Sequence, residues 1–263
     1  MGRLGRKQSV THEDFITALR NATAQVSLSH INALIDRTVE EVRDTVGQQR
    51  VAYCWSGGKD SQVLRLVAER AGIVESVIAL TDLEYPAFLA WATDNMPLGL
   101  TIMNNGWDMD WLRAHQGHIF PMTSAVASKW YSGVQWAMQD SYFAREKMDI
   151  LVLGRRLIDG NQCGDARGLA RKSNGTVRYC PLRHWTHEEM FAAIRYFNLA
   201  IPPIYDWPRG FRVGSGPWPA RRWCSSPEMG WHETWTIDAD IVRAAANHGI
   251  EGAARFIDKY NLG

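Results

Sequence analysis

Only four cysteines occur in 263 residues (Cys54, Cys163, Cys180 and Cys224), and no two form a Cys-x-x-Cys pair. That scatter argues against a zinc ribbon, and the usual iron–sulfur spacing is missing too. A disulfide framework is not expected in a chain this long and cysteine-poor. Cys54 sits inside an apolar run and reads as a small buried hydrophobe. No apolar stretch approaches the roughly 18–20 residues that span a bilayer, so no membrane is expected as a partner. Basic residues open the chain, but no apolar stretch follows them, which argues against a secretory signal. A myristoylated Gly2 is discounted because Arg6 stands where Ser or Thr is needed. The expected compartment is the cytoplasm. Net charge is nearly absent: 29 basic against 28 acidic side chains leave +1, which offers no global attraction for nucleic acid. No internal repeat is present.

What remains is a composition able to build a core, 46% hydrophobic and 22% charged. Its length suits one α/β domain with additions. Residues 11–48 carry apolar positions at helical spacing and read as a helical extension (1–48). Strand and helix signals then alternate: strands over Val51–Trp55, Val77–Leu80, Leu100–Met103 and Ile150–Leu153, with helices over Asp60–Ala71, Tyr85–Thr93 and Ala125–Lys147. Such alternation predicts a Rossmann-like, mostly parallel sheet with helices on both faces, assigned to residues 49–200. Past Gly154 regularity is lost in a basic, glycine-punctuated loop with a hairpin. A helix over His187–Asn198 follows, capped by Thr186 and Glu189. Residues 201–263 read as an extended wrap with six prolines between Ile201 and Pro227, then a closing helical pair from Asp238 to Tyr260.

Charge is uneven along the chain. Arg155 to Arg183 holds seven Lys or Arg against Asp159 and Asp165, and Arg209 to Arg222 holds four arginines and no acid. Trp207, Trp218 and Trp223 interleave with the latter group. This segment reads first as a packed loop, although aromatic and basic residues so interleaved also suit a nucleic-acid acceptor.

The chemistry concentrates in Val51-Ala-Tyr-Cys-Trp-Ser-Gly-Gly-Lys-Asp-Ser61, a strand running through paired glycines into a helix. Paired glycines let backbone amides approach an anion, and the helix start adds unpaired N–H groups and a positive dipole end. Ser56 and Ser61 add hydroxyl donors and Lys59 a charge. The pattern is a phosphate cradle. It is not a Walker A loop, because Asp60 follows the lysine.

Ser56-Gly-Gly-Lys-Asp-Ser61 resembles the PP-loop of the ATP pyrophosphatase (adenine nucleotide α-hydrolase-like) superfamily. Three later stretches resemble the phosphoadenosine phosphosulfate (PAPS) reductase branch: Thr81-Asp-Leu-Glu-Tyr-Pro86, Gly154-Arg-Arg-Leu-Ile-Asp159, and Cys180-Pro-Leu-Arg-His-Trp185 continuing to Ile201-Pro-Pro-Ile-Tyr205. The likeness covers about residues 50 to 210. It implies that Ser56, Gly57, Gly58, Lys59, Asp60 and Ser61 hold phosphates and that Asp82 lies near the adenosine. Gly154, Arg156 and secondarily Arg155 would meet the phosphate or sulfate. Lys59 and Arg156 would stabilise developing charge.

The departures are informative. The family's reductases attack sulfur with a cysteine in a C-terminal Glu-Cys-Gly-Leu-His segment, whereas this sequence closes on Asp-Lys-Tyr-Asn-Leu-Gly263. Gly160 and Cys163 replace the family's serine and arginine. Cys224 is the late cysteine with basic neighbours and the nucleophile if the chain is a reductase. The expected activity is an ATP pyrophosphatase that adenylates an acceptor in sulfur transfer or modification, with Mg²⁺ accompanying the nucleotide. The alternatives are a PAPS reductase with a relocated cysteine, or a nucleotide-binding regulator or partner subunit. The acceptor, nucleic acid or protein, and a homo-oligomeric state are left open.

Overall fold

The computed structural model describes residues 11–262. The basic N-terminal stretch with Gly2, and Gly263, lie outside the described residues. Among those described, strands β1 (Val51–Cys54), β2 (Ser76–Leu80), β3 (Leu100–Asn104), β4 (Ile150–Val152), β5 (Leu169–Arg171) and β6 (Val177–Tyr179) form one sheet in the order β3-β2-β1-β4-β6-β5. All neighbours run parallel except the β5–β6 hairpin, and Tyr53 of β1 stands between Ser76 and Val152. Parallel pairing puts the carboxyl ends of β1, β2 and β4 on one edge, where ligands of such sheets bind.

Both faces of the sheet are covered, which explains why its central strands read as unbroken apolar runs. Tyr53, Ile78, Ile150 and Val152 point into the larger core. Their neighbours Ala52, Val77 and Leu151 point the other way, against Tyr142 and Met148. The larger core takes α1 (His12–Gln25), α2 (Leu28–Val46) and α3 (Lys59–Ala71). The single helical region expected over residues 11–48 breaks at Val26, and the Ser27 hydroxyl caps the second helix through the His30 amide. Thr11 and Asp14 form a reciprocal capping box at the first helix.

Helix α4 (Pro86–Asn95) follows β2, and α5 (Met109–Ala114) follows β3. The aromatic helix expected over residues 125–147 is composite: α6 (Ser124–Trp130), a π-helical turn (Tyr131–Trp136) and α7 (Ala137–Arg145). Helix α8 (His187–Tyr196) starts at the expected Thr186–Glu189 capping box. The wrap contains 3₁₀ turns at Pro203–Tyr205 and Trp218–Ala220 around the short α9 (Gly210–Val213). Its Trp218 amide bonds the Leu83 carbonyl at 3.0 Å, which ties it to the end of β2.

The expected closing pair is present as α11 (Ala239–Asn247) and α12 (Glu251–Tyr260), and a further helix, α10 (Pro227–Ile237), precedes it. Helix α10 escaped the periodicity because Gly230 and Thr234 weaken its helical signal. Its start signal is nevertheless present, with Ser226 bonding the Met229 amide and Pro227 in the first turn. No described helix is long and apolar enough to cross a membrane.

Candidate functional site

The loop after β1 is shaped by its glycines and closed by its serines. Gly57 has φ +70°, and a Cβ there would lie 2.8 Å from the Trp91 ring and 3.0 Å from Phe88. Only glycine fits both the backbone and the space. The Ser61 hydroxyl donates to the Gly58 carbonyl at 2.8 Å and accepts from the Ser56 amide at 3.2 Å and the Ser56 hydroxyl at 3.3 Å. Among the described residues, none accepts from the Gly57 or Gly58 amide. Gly58 caps α3 without a side chain, so the first donors of that helix face the loop.

Two residues from the wrap reach the same point. The Lys59 amide donates to the Tyr205 hydroxyl at 2.8 Å. A Cβ on Gly58 would lie 3.4 Å from Ser56 Oγ, 3.4 Å from Tyr205 Oη and 3.5 Å from Ser215 Oγ. Three hydroxyls therefore converge on Gly58. Nothing in the sequence pattern singled out Ser215. Tyr205 lay in a recognised motif, but its role could not be read there.

The charges beside the loop are mutually engaged. Lys59 is 6% exposed, and its ammonium donates to both Asp60 oxygens at 2.8 and 2.7 Å. Burial lowers its pKa, against the pull of Asp60. Arg156, expected to meet a phosphate, is 0% exposed and turned inward. Its Nε lies 3.1 Å from Asp60 Oδ1, and Nη2 lies 3.0 Å from Asp159 Oδ2. Nη1 donates to the carbonyls of Trp185 and Thr186 at 3.3 and 3.0 Å. Nη2 also meets His187 Nδ1 at 3.1 Å, and burial followed by the Arg156 charge lowers that imidazole to about 4. A guanidinium so placed lies beside Asp60 and is absent from the cavity lining. Arg155, half-buried, is the one of the pair that lines the cavity, and among the described residues no carboxylate pairs with it.

A cavity of about 240 Å³ opens over the loop. Ser56, Asp60 and Ser61 form its floor, and residues 77–80 and 153–155 line it from the ends of β2 and β4. Residues 213–217 of the wrap, with Tyr131 and Gln135 of the π-helical turn, form the facing wall. Gly154 belongs here for a packing reason: its Cβ would lie 3.1 Å from the Asp60 carbonyl oxygen, so β4 and the start of α3 can close together. Arg222 reaches the cavity and bonds the Tyr131 hydroxyl.

Asp82 does not join this wall. It is exposed and accepts from Asn104 at 2.6 Å. The carboxyl of this turn that lines the cavity is Glu84, 7% exposed. The Thr81 amide and hydroxyl donate to its Oε1 at 3.3 and 3.2 Å, while Oε2 has no partner among the described residues. Burial pushes its pKa up to about 8. The turn after β2 buries Leu83, Glu84 and Tyr85 and leaves Asp82 outside; with four side chains in succession, the sequence could not say which faced in.

Cys224 is also displaced from its expected role. It is 6% exposed and absent from the cavity wall. Arg209 donates to its sulfur at 3.2 Å, but burial outweighs that charge and raises the thiol pKa. The neighbouring arginines bind Glu233 instead, Arg209 at 2.5 and 2.7 Å and Arg221 at 3.2 Å. The three tryptophans of the wrap separate: Trp218 is 1% exposed, Trp207 packs on Tyr85 at 4.6 Å, and Trp223 stands outside between Arg212 and Arg222. Among the described residues, no group of three or more His, Cys, Asp or Glu side chains is placed to hold a metal ion.

No family model matches the sequence, and no curated protein matches it. Among solved structures the chain is similar to the PAPS reductase of Candida auris in its phosphate complex. Identity is 15%, with 73% of this chain and 96% of that chain covered at a TM-score of 0.52. It is also similar to an NH3-dependent NAD synthetase from Campylobacter jejuni (14% identity, 86% and 96% covered, TM-score 0.46). A further match is the FMN adenylyltransferase of Candida glabrata (16% identity, 75% and 71% covered, TM-score 0.43). At these scores the last two carry no weight. The first shows the fold, the expected Rossmann-like, mostly parallel α/β sheet.

Proposed function

We propose that this protein binds ATP and transfers its adenylyl group to an acceptor, releasing pyrophosphate onto the loop Ser56–Ser61. What carries the reading is the convergence at Gly58: unpartnered amides, a helix start and the hydroxyls of Ser56, Tyr205 and Ser215 around one point. Such donors suit phosphate oxygens. The adenosine would lie along residues 77–80 and 153–155, where the cavity continues between β2 and β4. In the chemical step an acceptor oxygen attacks the α-phosphorus and the bond to the bridging oxygen of pyrophosphate breaks. Charge builds on the leaving oxygens, and donors fixed beforehand stabilise it most. Arg155, facing the cavity, is assigned to the phosphates in place of Arg156. Lys59 and Arg156 hold Asp60 in position. Mg²⁺, if it accompanies the nucleotide, would supply Lewis-acid stabilisation of the phosphates, and Asp60 is the carboxylate that the cavity floor offers it.

The reductase alternative requires a thiolate facing the bound sulfonucleotide. Cys224 is outside the cavity. Cys54 lines it, but burial pushes its thiol up to about 12, so neither supplies that nucleophile. The sulfur-transfer setting and the identity of the acceptor belong to the same proposal and rest on the loop's resemblance alone.

Titration calorimetry with ATP, PAPS and adenosine 3′,5′-bisphosphate tests the reading, together with an assay for pyrophosphate release. The expected result is preferential ATP binding, weakened by Arg155→Ala, with pyrophosphate released on addition of an acceptor. Preference for PAPS with thiol-dependent sulfite release would overturn it in favour of reduction. Tight nucleotide binding with no release against any acceptor class would favour a regulator.

A further inference from the structure

Three of the scattered cysteines meet beside the cavity. Cys163, from the loop after β4, and Cys180, at the end of β6, pack with Leu153 in a cluster where each sulfur residue is 3% exposed. Cys54, at the end of β1, packs on this cluster and lines the cavity, as do Leu153 and Asn161. The Cys180 amide bonds the Gly168 carbonyl at 2.9 Å, which fixes the loop carrying Cys163 across the end of β6. The two thiols share that buried cluster, and the Cys163 sulfur lies 3.8 Å from the Asn161 carbonyl. The neighbouring Cys180 lowers the Cys163 pKa against burial, with Arg155 and Arg183 adding to the effect, while the neighbouring Cys163 and burial raise that of Cys180. The two neighbouring sulfurs are shifted in opposite directions, an arrangement suited to dithiol oxidation and unlike an inert buried cysteine.

We propose that Cys163 and Cys180 form a reversible dithiol–disulfide site, oxidised by a small peroxide that enters through the nucleotide cavity. The Cys163 thiolate attacks one oxygen of hydrogen peroxide, the O–O bond breaks, and the departing hydroxide takes a proton to become water. The Cys180 sulfur then attacks the resulting sulfenic acid, loses its proton and expels a second water. Two thiols give up two electrons and two protons, and one peroxide becomes two waters. A dithiol reductant restores both thiols by exchange. Because the route passes Cys54, Leu153 and Asn161, a bound nucleotide would obstruct it; this arm rests on the function proposed above.

Peptide mapping of the full chain without reductant, after brief hydrogen peroxide treatment, tests the site. Nucleotide-free protein is expected to yield a Cys163–Cys180 linked peptide that dithiothreitol removes. The link is lost in Cys163→Ser and in Cys180→Ser and retained in Cys54→Ser. With ATP at ten times its dissociation constant, formation slows about tenfold, since roughly a tenth of the cavities stay empty. A link through Cys54 or Cys224, or sulfinic acid at Cys163 with no link, would overturn the proposal; so would unmodified cysteines in protein shown folded by circular dichroism. Equal rates with and without ATP, in protein that calorimetry shows to bind ATP, overturn the cavity route. Lack of ATP binding tells against the proposed function alone, because the link in nucleotide-free protein is measured independently of it. If the serine variants do not fold, the wild-type map still decides.

Discussion

The Ser56–Ser61 loop and the wrap meet at Gly58 from opposite sides, and they are held by different means. The loop is fixed locally. One left-handed glycine turns it, and the Ser61 hydroxyl bonds residues three and five positions away. The wrap is fixed remotely, through Trp218 to Leu83, Tyr205 to Lys59, and Arg209 and Arg221 to Glu233. Each region also has its own charge network. On the loop side Arg156 joins Asp60 and Asp159 with no exposure at all. On the wrap side two arginines share one carboxylate, so either can be removed without stranding it. The same ion-pair chemistry therefore makes one region brittle and the other redundant.

The strongest test of that contrast is Arg156→Leu. It takes from Asp159 its arginine and leaves Asp60 to Lys59, and a broken buried pair costs about 3–5 kcal/mol. Urea titration should show that loss and a much smaller one for Arg209→Leu; equal losses would abolish the distinction. Next is the pH dependence of Glu84. Its folded pKa of about 8 stands above the ordinary 4.5, so the protonated carboxyl's contribution is complete below 4.5 and is lost as pH rises toward 8. The slope in that window is at most about 1.4 kcal/mol per pH unit. Glu84→Gln cannot ionise, so its stability relative to wild type should rise between pH 5 and 8 and level off above; a constant difference would place the carboxylate in water.

Arg155→Ala should cost about 1.5–3 kcal/mol of ATP affinity, the range of a charged hydrogen bond, with melting unchanged. A loss of stability instead would give Arg155 the same bracing role as Arg156. The smallest effects belong to the wrap's hydroxyls. Tyr205→Phe and Ser215→Ala should each cost about 0.5–1.5 kcal/mol in ATP affinity by calorimetry. If neither change moves affinity, the cradle is built by the loop alone.

Legibility in the sequence follows the same local–remote division. The loop, the start of α3 and the capping box at Thr186 are set by neighbours within a few residues, and each could be read there. Which arginine of an adjacent pair faces the cavity depends on β4 meeting α3 at Gly154, a contact 94 positions apart in numbering, by subtraction of Asp60 from Gly154. Glu84 taking the place expected for Asp82 is a matter of which residues of a turn become buried once the wrap covers it. Cys163 and Cys180 looked unrelated because the β5–β6 hairpin that joins them lies between. Helix α10 was hidden because Gly230 serves packing, its Cβ position lying 2.3 Å from the Phe120 ring.

The bond from the Lys59 amide to the Tyr205 hydroxyl spans 146 positions, and this separation sets a timetable. At about 5–20 residues per second, roughly 7–30 s of synthesis pass between the two ends of that bond. During that interval β1 and α3 can already exist, while the wall that shelters the cradle does not. A nucleotide bound as proposed could not be held in its final form by a growing chain until the wrap has emerged and docked. Ligand capture is thus a reporter of completed folding, and in refolding experiments it should lag the recovery of helical signal.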